Sequence, residues 1–385
     1  MANRQYNNLC RKLFQIYAPE SQNKNVVIGM DAIIKGFLAL YHGTGGTTRQ
    51  RLDSRKFKEK YSSTQSSSST TTAICLLSRS KDMDGSLNEQ FETAVKRDCT
   101  EYFLHTAISE DDNKYPERRI NLMNRINSWF KNKTRNEIDQ IVNDETVQLF
   151  GSGPVTMCVQ SVFKGTWENS FTDEIRQEEF FLPGSKTCSV QMMINNRTDT
   201  VSVSDLEKEH KATIVQFPYM NPCGSFVAIM PNEPSTPESL LQLLSTLNLT
   251  DLFMSFEEEK CEIQCVPKFT CETELILANP QDGPDDGLGG IEDLKDFKDE
   301  ANFSNMFPGG IPHSDSVSIQ VKTTIDNHEL GTRVKTDCLV QYTDGEYEDP
   351  IKIVLNKPFL YFILNNENYI RTIGMFVDPS PPSYI

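Results

Sequence analysis

The chain has 385 residues, enough to bury a full hydrophobic core, and a formal net charge of −16 with a pI near 4.9. This balance excludes a surface that tracks nucleic-acid phosphates, because such a surface needs clustered Lys and Arg, and it favours a cationic partner. No run of roughly 18 apolar residues occurs, so no membrane span is expected. Ten cysteines in so long a chain predict reduced or buried thiols rather than a disulfide scaffold.

The N-terminal segment, residues 1–25, has no continuous apolar core of the length that a signal peptide requires. Its apolar residues Leu9, Leu13, Phe14 and Tyr17 are spaced as on one face of an amphipathic helix. These features predict a cytoplasmic protein, with release to the extracellular space by a leaderless route left open.

Helical and loop patterns follow in chain order. Residues 25–41 form an apolar stretch of helical length that ends at the Gly-rich breaker HGTGGTT. The Ser/Thr-rich segment 61–72 can bury little and predicts a flexible surface loop. Residues 118–142 predict an amphipathic helix with a turn near 132–136, and residues 237–247 predict another helix.

From about residue 155 the sequence changes to short β-rich segments separated by Gly, Pro and Asn. They include VTMCVQSVFKG, KATIVQFPY, SFVAIMP, CEIQCVPKF, SVSIQVKTTID, FLYFIL and IRTIGMFV. These segments do not alternate with helices as parallel α/β folds require, and we find neither an internal repeat nor a linker. The predicted fold class is therefore α+β with mixed or antiparallel sheets, and residues 1–385 are expected to form one domain.

Residues that could support catalysis or hold a metal are scattered. The five histidines form no HExxH motif and no Cys-x-x-Cys pair occurs, so no metal and no cofactor is expected. GTGGTT at 43–48 lacks the Gly-Lys-Ser/Thr ending of a phosphate loop, and neither GSG at 151–153 nor CGS at 223–225 is a Gly-x-Ser-x-Gly nucleophile elbow. The chain is therefore not expected to be an enzyme.

Several spaced motifs resemble those of the serpin family and follow the serpin order. They are INSWFKNKT at 126–134, SVFKGTWENSFTDEIRQEEFF at 161–181, VQFPYMNPCGSFVAIMPNE at 215–233, VPKFTCETEL at 266–275, EANFSNM at 300–306 and NKPFLYFILNNENYIRTIGMFVDP at 356–379. The resemblance covers roughly residues 5–379. It implies a single domain with three β-sheets and about nine helices, an exposed reactive loop at about residues 329–355, and Trp167 in the breach region of that fold.

The resemblance also implies a mechanism. In serpins a serine protease cleaves the reactive loop, and the N-terminal half of the loop then inserts into the central sheet as an added strand. Insertion relieves strain stored in a metastable native state and distorts the acyl-enzyme before water can release it. The implied partner is a target serine protease, held in a covalent complex by a monomeric inhibitor.

The segment GTRVKTDCLVQYTDGEYEDP, residues 331–350, combines a strand pattern with turn-prone loop chemistry. Gly331 and Thr332 match the Gly-Thr of the serpin hinge, and Glu329 precedes them as in the family. Every second residue is then small, β-branched or apolar: Thr332, Val334, Thr336, Cys338, Val340 and Tyr342. Because a charge at these positions would be costly to bury, the absence of charge predicts that the loop can insert.

The hinge departs from the family pattern just after its Gly-Thr. Serpin inhibitors usually carry a run of small residues there, whereas this chain has RVKTD at 333–337. Its charged residues Arg333, Lys335 and Asp337 occupy the outward positions of the alternation, where they can stay solvated. Insertion is therefore permitted, but is expected to be slower.

A second departure concerns the Ser-Pro-x-Ser-Ile motif near the start of the second serpin helix. Here the motif appears as GMDAI at 29–33, and the His and Asn that usually complete its hydrogen-bonding cluster fall on Val321 and Val159. Apolar replacement of a whole buried polar cluster can be nearly neutral, so we interpret the site as repacked.

The scissile bond is predicted at either of two positions. Counting forward from the hinge places it at Gly345, before Glu346, whereas counting back from NKPF places it at Tyr347, before Glu348. A chymotrypsin-like or cathepsin G-like protease has a pocket for an aromatic residue, so the bond after Tyr347 is preferred, with Tyr342 as a further alternative. Acidic residues around this bond would suit a strongly basic protease, although they are equally typical of an ordinary loop: Asp344, Glu346, Glu348 and Asp349.

Three functions stay open at this point. The first is suicide inhibition of a serine protease by the inserting loop. The second is a non-inhibitory serpin-fold protein with a carrier, storage or chaperone role, which the unusual hinge and the altered GMDAI motif favour. The third is inhibition of a cysteine protease, because the same trap also works on an acyl-thioester.

Overall fold

The computed structural model describes residues 2–19, 25–62, 70–79, 86–143, 155–171, 174–196, 199–204, 206–220, 223–277, 294–297, 301–308, 317–332 and 351–379. Within these ranges, none of the helices combines the length and the hydropathy of a bilayer-spanning segment. Most of the predicted reactive loop, including both candidate scissile bonds, lies outside them.

The helices of the described residues are α1 Ala2–Tyr17, α2 Met30–Gly43, α3 Gly46–Ser54, α4 Phe57–Tyr61, α5 Glu89–Asp98, α6 Glu110–Lys114, α7 Pro116–Lys133, α8 Glu207–His210, α9 Pro237–Thr246 and α10 Leu249–Leu252. The predicted amphipathic N-terminal helix is confirmed, since α1 buries Leu9, Leu13 and Phe14. The predicted turn after α7 is also confirmed, because Arg135 and Asn136 adopt positive φ values of 54° and 64°.

Two segments differ from the sequence prediction. The apolar stretch 25–41 is a short strand followed by a helix, because Val26, Val27 and Ile28 pair with a β-strand and Gly29 has the extended backbone of a helix N-cap. The predicted Ser/Thr-rich loop is narrower than 61–72. Tyr61 still belongs to α4 and residues 70–72 already pair as a strand, while residues 63–69 lie outside the described part of the chain.

The strands are β1 Val26–Gly29, β2 Thr70–Arg79, β3 Tyr102–Ile108, β4 Val155–Phe163, β5 Gly165–Thr166, β6 Glu174–Leu182, β7 Lys186–Asn195, β8 Asp199–Ser204, β9 Ala212–Pro218, β10 Ser225–Pro231, β11 Phe256–Pro267, β12 Phe269–Leu277, β13 Val317–His328, β14 Gly331–Thr332, β15 Ile351–Val354, β16 Phe359–Leu364 and β17 Ile370–Phe376. Together with the helices they confirm the predicted α+β class.

The central sheet contains β3, β2, β4 and β13 in that order, with β12 beyond β13. β4 and β13 are parallel neighbours, and the short strands β14 and β5 continue the sheet at one end, which we call the upper end. On one face α7 packs through Leu122, Ile126 and Phe130, all buried. On the other face lies α2, every residue of which is buried.

The second hydrogen-bonded system has the order β1, β17, β16, β10, β9, β8, β11, β7 and β6, with β15 beside β11. The family resemblance implied three sheets, and β11 explains why the described strands form two continuous systems. The first half of this long strand pairs with β8, and its second half pairs with β7 and β15. One strand therefore joins what would otherwise be two separate sheets.

Candidate functional site

The predicted hinge begins inside the central sheet. Thr332 of β14 is level with Asn327 of β13 on one side and with Gly165 of β5 on the other, and both pairings are antiparallel. The first two hinge residues are therefore already a strand at the upper end of the sheet. We call β14 with its immediate neighbours the loop base.

Two stacked aromatic side chains, Trp167 and Tyr219, hold the loop base. Their ring centroids are 4.6 Å apart at an interplanar angle of 15°, and the Tyr219 and Thr332 hydroxyl oxygens lie 2.7 Å apart. The Trp167 indole N–H donates to the carbonyl of His328 at 3.0 Å, and its backbone N–H donates to the carbonyl of Leu330 at 3.1 Å. Burial raises the pKa of Tyr219, so its hydroxyl stays neutral and available as a donor.

Glu329 connects the loop base to two other segments. Its carboxylate accepts a hydrogen bond from the Lys268 ammonium at 2.7 Å, and its backbone carbonyl accepts one from the Phe171 N–H at 2.9 Å. Burial disfavours the charged carboxylate and is the largest single influence on it. The hydrogen bonds from Lys268 and from the backbone, together with the charges of Lys268 and His328, outweigh burial, so the pKa of Glu329 lies below its usual value. Glu329 is therefore ionised at neutral pH.

Two glycines allow β14 and β5 to approach each other. Gly331 has a φ of +150°, and a Cβ atom there would overlap the carbonyl oxygen of Gly165. A Cβ atom on Gly165 would in turn lie 2.7 Å from the rings of Phe163 and Tyr219, closer than side chains pack. The predicted Gly of the hinge thus has a steric reason in the structure.

Further down the central sheet from the loop base, β4 and β13 are first apart and then become direct neighbours. Direct pairing runs from Val317 opposite Val155 to Lys322 opposite Gln160, with no strand between them. A small cleft lies above this zone. The volume within it that the centre of a water molecule can occupy is about 30 Å³. Its lining includes Ser161, Phe163, Thr323, Ile325, Thr332 and Arg371. The central sheet is closed below the cleft and partly open within it.

Buried charged side chains lie at the floor of the cleft. Asp31 and Lys35 of α2 and Arg371 of β17 are each less than a tenth exposed. The Lys35 ammonium donates to the Thr72 hydroxyl at 3.0 Å, and the Arg371 guanidinium donates to the Thr70 hydroxyl. Burial raises the pKa of Asp31, an effect that the charges of Arg371 and Lys35 partly offset.

The two valines predicted to replace the usual His and Asn are register partners. Val321 of β13 lies opposite Val159 of β4, both are buried, and Gly36 of α2 packs beneath Val159. The site is therefore repacked, as the sequence suggested. The replacement is not wholly apolar, however, because Asp31 of the same GMDAI motif belongs to the buried charged group below the cleft.

Four predicted site residues, Trp167, Glu329, Gly331 and Thr332, meet at the loop base. The other predicted hinge and scissile-bond residues lie outside the described part of the chain: Val334, Thr336, Cys338, Gly345, Glu346, Tyr347 and Glu348. In the ranges that the structure covers, no group of three or more His, Cys, Asp or Glu side chains is arranged to hold a metal ion.

Sequence reasoning missed three residues of this region. Tyr219 and Lys268 lie within the family motifs VQFPYM and VPKFT, but nothing in the sequence says which residues they contact. Arg371 lies in IRTIGMFV, an apolar strand in which a charge could have been noticed as exceptional. A charged residue inside an otherwise buried strand is the signal that could have revealed the cluster.

Comparisons with known proteins agree with this architecture. A sequence model described as Serpin (serine protease inhibitor) matches residues 4–379. Human Serpin B13 is 26% identical over 294 residues, which cover 73% of this chain and 69% of the relative. Serpin48 from the insect Tenebrio molitor has a TM-score of 0.74 at 15% identity, with 97% of this chain and 96% of that chain covered.

A further structural match is thyroxine-binding globulin in complex with thyroxine, with a TM-score of 0.71 at 15% identity, covering 99% of this chain and all of that chain (100%). At such identities the solved structures establish the fold alone. The family model, however, spans nearly the whole chain, and the order of strands and the strand-like hinge agree with it. The chain therefore belongs to the serpin family.

Proposed function

We propose that this chain is a suicide-type inhibitor of a serine protease, and that the segment following Thr332 is the bait. The proposal rests on one observation: β14 already occupies the upper end of the central sheet, antiparallel to both β13 and β5. A chain that continued β14 in the same direction would run down the cleft between β4 and β13. After cleavage, β4 and β13 would separate along this path and admit the loop as an added strand.

The register of that path suits the alternation in the sequence. Continuing the pairing of Thr332 with Asn327 would set Val334 level with Ile325, Thr336 level with Thr323, and Cys338 level with Val321. Those β13 residues belong to the buried face of the strand. The uncharged loop residues would therefore enter the hydrophobic core, and insertion would add two ladders of backbone hydrogen bonds.

The mechanism follows from the speed of this movement. Insertion carries the acylated protease away from the loop base while the ester still links the protease serine to the loop. Deacylation needs an aligned oxyanion hole and catalytic triad, and pulling on the acyl group disturbs both. The ester then persists as a covalent complex between a monomeric, single-domain inhibitor and its target.

The proposed target is chymotrypsin-like or cathepsin G-like, and cleavage is proposed after Tyr347, before Glu348. An aromatic side chain fits the primary pocket of such a protease, and the acidic residues around the bond favour association with a basic enzyme. Cleavage after Gly345 is the alternative that the loop length supports.

The proposal is tested by incubating the full chain with a chymotrypsin-like protease, with trypsin and elastase as comparisons. We expect a covalent complex on a denaturing gel and release of a C-terminal peptide that begins at Glu348, identified by mass spectrometry. Rapid cleavage with no covalent complex for any of the three enzymes would contradict inhibition. A cysteine protease of the papain type provides the parallel test for trapping of an acyl-thioester.

A carrier role is the second candidate. It is supported by the charged hinge segment and by the structural similarity to thyroxine-binding globulin. Loop cleavage separates the two roles, because insertion relieves stored strain and raises the temperature of unfolding sharply, whereas a loop that does not insert leaves it nearly unchanged. An unchanged melting temperature after cleavage would favour the carrier.

A further inference from the structure

Positive charge is concentrated on α7 in a chain that is otherwise acidic. Residues 118–136 contain six of the 38 basic residues of the chain and none of its 54 acidic residues. The six are Arg118, Arg119, Arg125, Lys131, Lys133 and Arg135. The net charge of −16 predicted a cationic partner for the protein as a whole, so this helix is a local exception with a cause of its own.

Most of this charge faces solvent without a neutralising carboxylate. Among the residues that the structure covers, no ion pair forms at the exposed side chains of Arg125, Lys131, Lys133 and Arg135. The Arg118 guanidinium lies 3.1 Å from the Asp111 carboxylate, but both side chains are more than half exposed. Such a pair contributes little to stability and is easily replaced. The cations of α7 are therefore available to an anionic group from outside the chain.

Stability of the helix explains only part of this pattern. Lys131 and Lys133 lie in the last turn of α7, where the helix macrodipole favours a cation. Arg118 lies in the first turn, where the macrodipole disfavours a cation. Arg125 lies too far from either end of the helix to interact with the macrodipole strongly. Charges that the helix does not need for its own stability point to recognition of another molecule.

Two exposed apolar side chains lie at the N-terminal end of the same helix. Tyr115 is 42% exposed and Ile120 is 48% exposed. The centroid of the Tyr115 ring lies 5.7 Å from the Lys114 ammonium and 5.5 Å from the Arg118 guanidinium carbon, so the ring is held among cations. Tyr and Arg are residue types enriched at the centres of protein interfaces. The exposed side of α7 therefore offers apolar area as well as charge.

The helix is fixed in place, so this surface is formed before any partner binds. Three apolar residues of its inner side are buried against the central sheet. The Asn127 side-chain oxygen accepts hydrogen bonds from the N–H groups of Ile141 and Val142 at 3.0 and 3.1 Å. The buried Thr134 hydroxyl donates to the Phe130 carbonyl at 2.7 Å. A preformed surface loses little conformational entropy on binding, which favours affinity.

We propose that the exposed side of α7 binds an acidic polypeptide segment of a partner protein. Carboxylates of the segment pair with Arg125, Lys131 and Lys133, and apolar side chains of the segment cover Tyr115 and Ile120. This interaction goes beyond protease inhibition, because a basic helix face repels the basic protease proposed as the target and so serves a second partner. It does not depend on the reactive loop.

A polypeptide segment fits this surface better than other polyanions do. With 18 residues, α7 is about 27 Å long, a length that a helical segment of similar size can follow. A nucleic-acid duplex or an anionic membrane is larger than the helix and would also meet the acidic remainder of the chain, which repels it. A sulfated polysaccharide has no apolar side chain to cover Tyr115 and Ile120. The polypeptide supplies both kinds of contact over an area as small as one helix.

Binding of a designed acidic peptide to the full, uncleaved chain tests the proposal. The probe is a fluorescein-labelled peptide of about 20 residues with Glu and Leu at helical spacing. The comparison peptides have Gln in place of Glu, or Ala in place of Leu. Fluorescence anisotropy at physiological salt measures each affinity. Because no protease is present, the result is independent of the proposed inhibition.

The role of the charge is tested by a triple variant of the exposed side, Arg125→Gln, Lys131→Gln and Lys133→Gln. Arg135 stays unchanged, because its φ of 54° lies in the left-handed region and a substitution there would also alter backbone strain. We expect the affinity for the Glu/Leu peptide to fall about tenfold, since three exposed ion pairs of modest strength are lost. The melting temperature should stay close to that of the wild type.

The matched control removes the same charge elsewhere, by Arg4→Gln, Lys12→Gln and Lys186→Gln. These three residues are exposed and belong to α1 and β7. Affinity should change by less than about twofold, because salt screens charges that lie beyond about 8 Å. A second variant, Tyr115→Ala with Ile120→Ala, should weaken binding of the Glu/Leu peptide about fivefold and leave binding of the Glu/Ala peptide unchanged.

The outcomes either support or overturn the proposal. Equal affinities for the Glu/Leu and Gln/Leu peptides would overturn it, as would equal losses in the triple variant and its control. A triple variant that melts well below its control would show that the charges stabilise the helix instead. Tighter binding of a heparin fragment or of single-stranded DNA than of the Glu/Leu peptide would overturn the polypeptide partner in favour of a general polyanion site. A loss confined to the α7 variants would support the acidic polypeptide.

Discussion

The loop base and the zone below it are parts of one sheet with opposite properties. At the loop base, stacked rings, a buried hydroxyl pair and an ion pair hold β14 between β5 and β13. Below it β4 and β13 pair directly with no strand between them, and the cleft between these two regions has buried charges beneath it. Under the proposed mechanism, one region fixes the entering strand, and the other must separate to admit it.

The contrast separates a region that side-chain contacts hold from a region that the backbone pairing of two strands holds. Polar contacts concentrate at the loop base, where they hold β14 in place. In the paired zone Val159 and Val321 meet without hydrogen bonding between their side chains, and the Cys158 thiol makes one long contact of 3.9 Å with the Gln320 side-chain oxygen. Under the proposed mechanism, strand separation there would break mainly backbone bonds, which an inserted strand would replace. Four predictions test this division, from the largest expected effect to the smallest.

The largest effect is expected from Gly331→Ala. The added Cβ would overlap the carbonyl oxygen of Gly165 at a φ of +150°, so β14 must leave its place in the sheet. We expect loss of detectable covalent complex and a destabilisation of about 3 kcal/mol, measured by denaturing gel and thermal unfolding. Gly184→Ala is the control, because Gly184 also has a positive φ of +77° but nothing lies within 4 Å of its Cβ position. Equal effects of the two variants would show that backbone strain alone, and not the contact with β5, explains the loss.

The buried charges beneath the cleft give the second prediction. Arg371→Leu leaves Asp31 without its strongest opposing charge in a buried site, and we expect a loss of about 3 kcal/mol in thermal or urea unfolding. The triple variant Asp31→Val, Lys35→Met, Arg371→Leu removes all three charges and should recover most of that loss. Arg176→Leu, at an exposed ion pair with Glu174, is the control and should change stability by less than about 0.5 kcal/mol. A triple variant less stable than Arg371→Leu would contradict the view that the charges act as one group.

The same contrast shows how far sequence reasoning reaches. The residues of the loop base could be named from the sequence because they lie in local motifs: Glu329, Gly331 and Thr332 are close in the chain, and Trp167 belongs to a contiguous motif. The strand alternation from Thr332 onward is likewise a local pattern that needs no structure to be seen.

The buried charged cluster could not be predicted in the same way. Asp31 and Arg371 are separated by more than three hundred residues of chain, and their approach depends on α2 and β17 packing together under the central sheet. The prediction of one helical stretch over residues 25–41 was wrong, because an apolar run does not reveal where a buried strand ends and a buried helix begins. The join between two sheets through β11 is a further long-range feature.

The third prediction concerns the hydroxyl pair at the loop base. Tyr219→Phe leaves the Thr332 hydroxyl without this buried partner, and Thr332→Val does the same to Tyr219, so each is expected to cost about 1 kcal/mol. The double variant should be less destabilised than the sum, with a coupling of about 1 kcal/mol in a double-mutant cycle on the uncleaved protein. Strictly additive losses would mean that the two hydroxyls, although 2.7 Å apart, do not support each other.

The smallest effect is expected from Glu329→Gln and depends on pH. The folded-state pKa of Glu329 lies below its ordinary value of about 4.5. The ionised carboxylate therefore contributes to the stability of the fold at neutral pH, and this contribution is lost as the pH falls below about 4.5 and through the folded-state pKa. The wild type should therefore melt slightly higher than Glu329→Gln at pH 7, and the difference should vanish in acid. Glu262→Gln, at the exposed pair with Lys352, is the control and should show no such difference.

The pKa shift of Asp31, which lies beneath the cleft, has the opposite sign to that of Glu329, so the pH experiment tests the whole comparison. Its folded-state pKa is raised, so the stability linked to its protonation is present in acid and is lost as the pH rises through that pKa. Acid therefore weakens the loop base while it relieves the charge buried beneath the cleft. Glu329→Gln should remove only the first effect, and the triple variant without buried charges only the second. If both variants kept the wild-type pH profile of the melting temperature, the two regions would not differ in the way their carboxylates indicate.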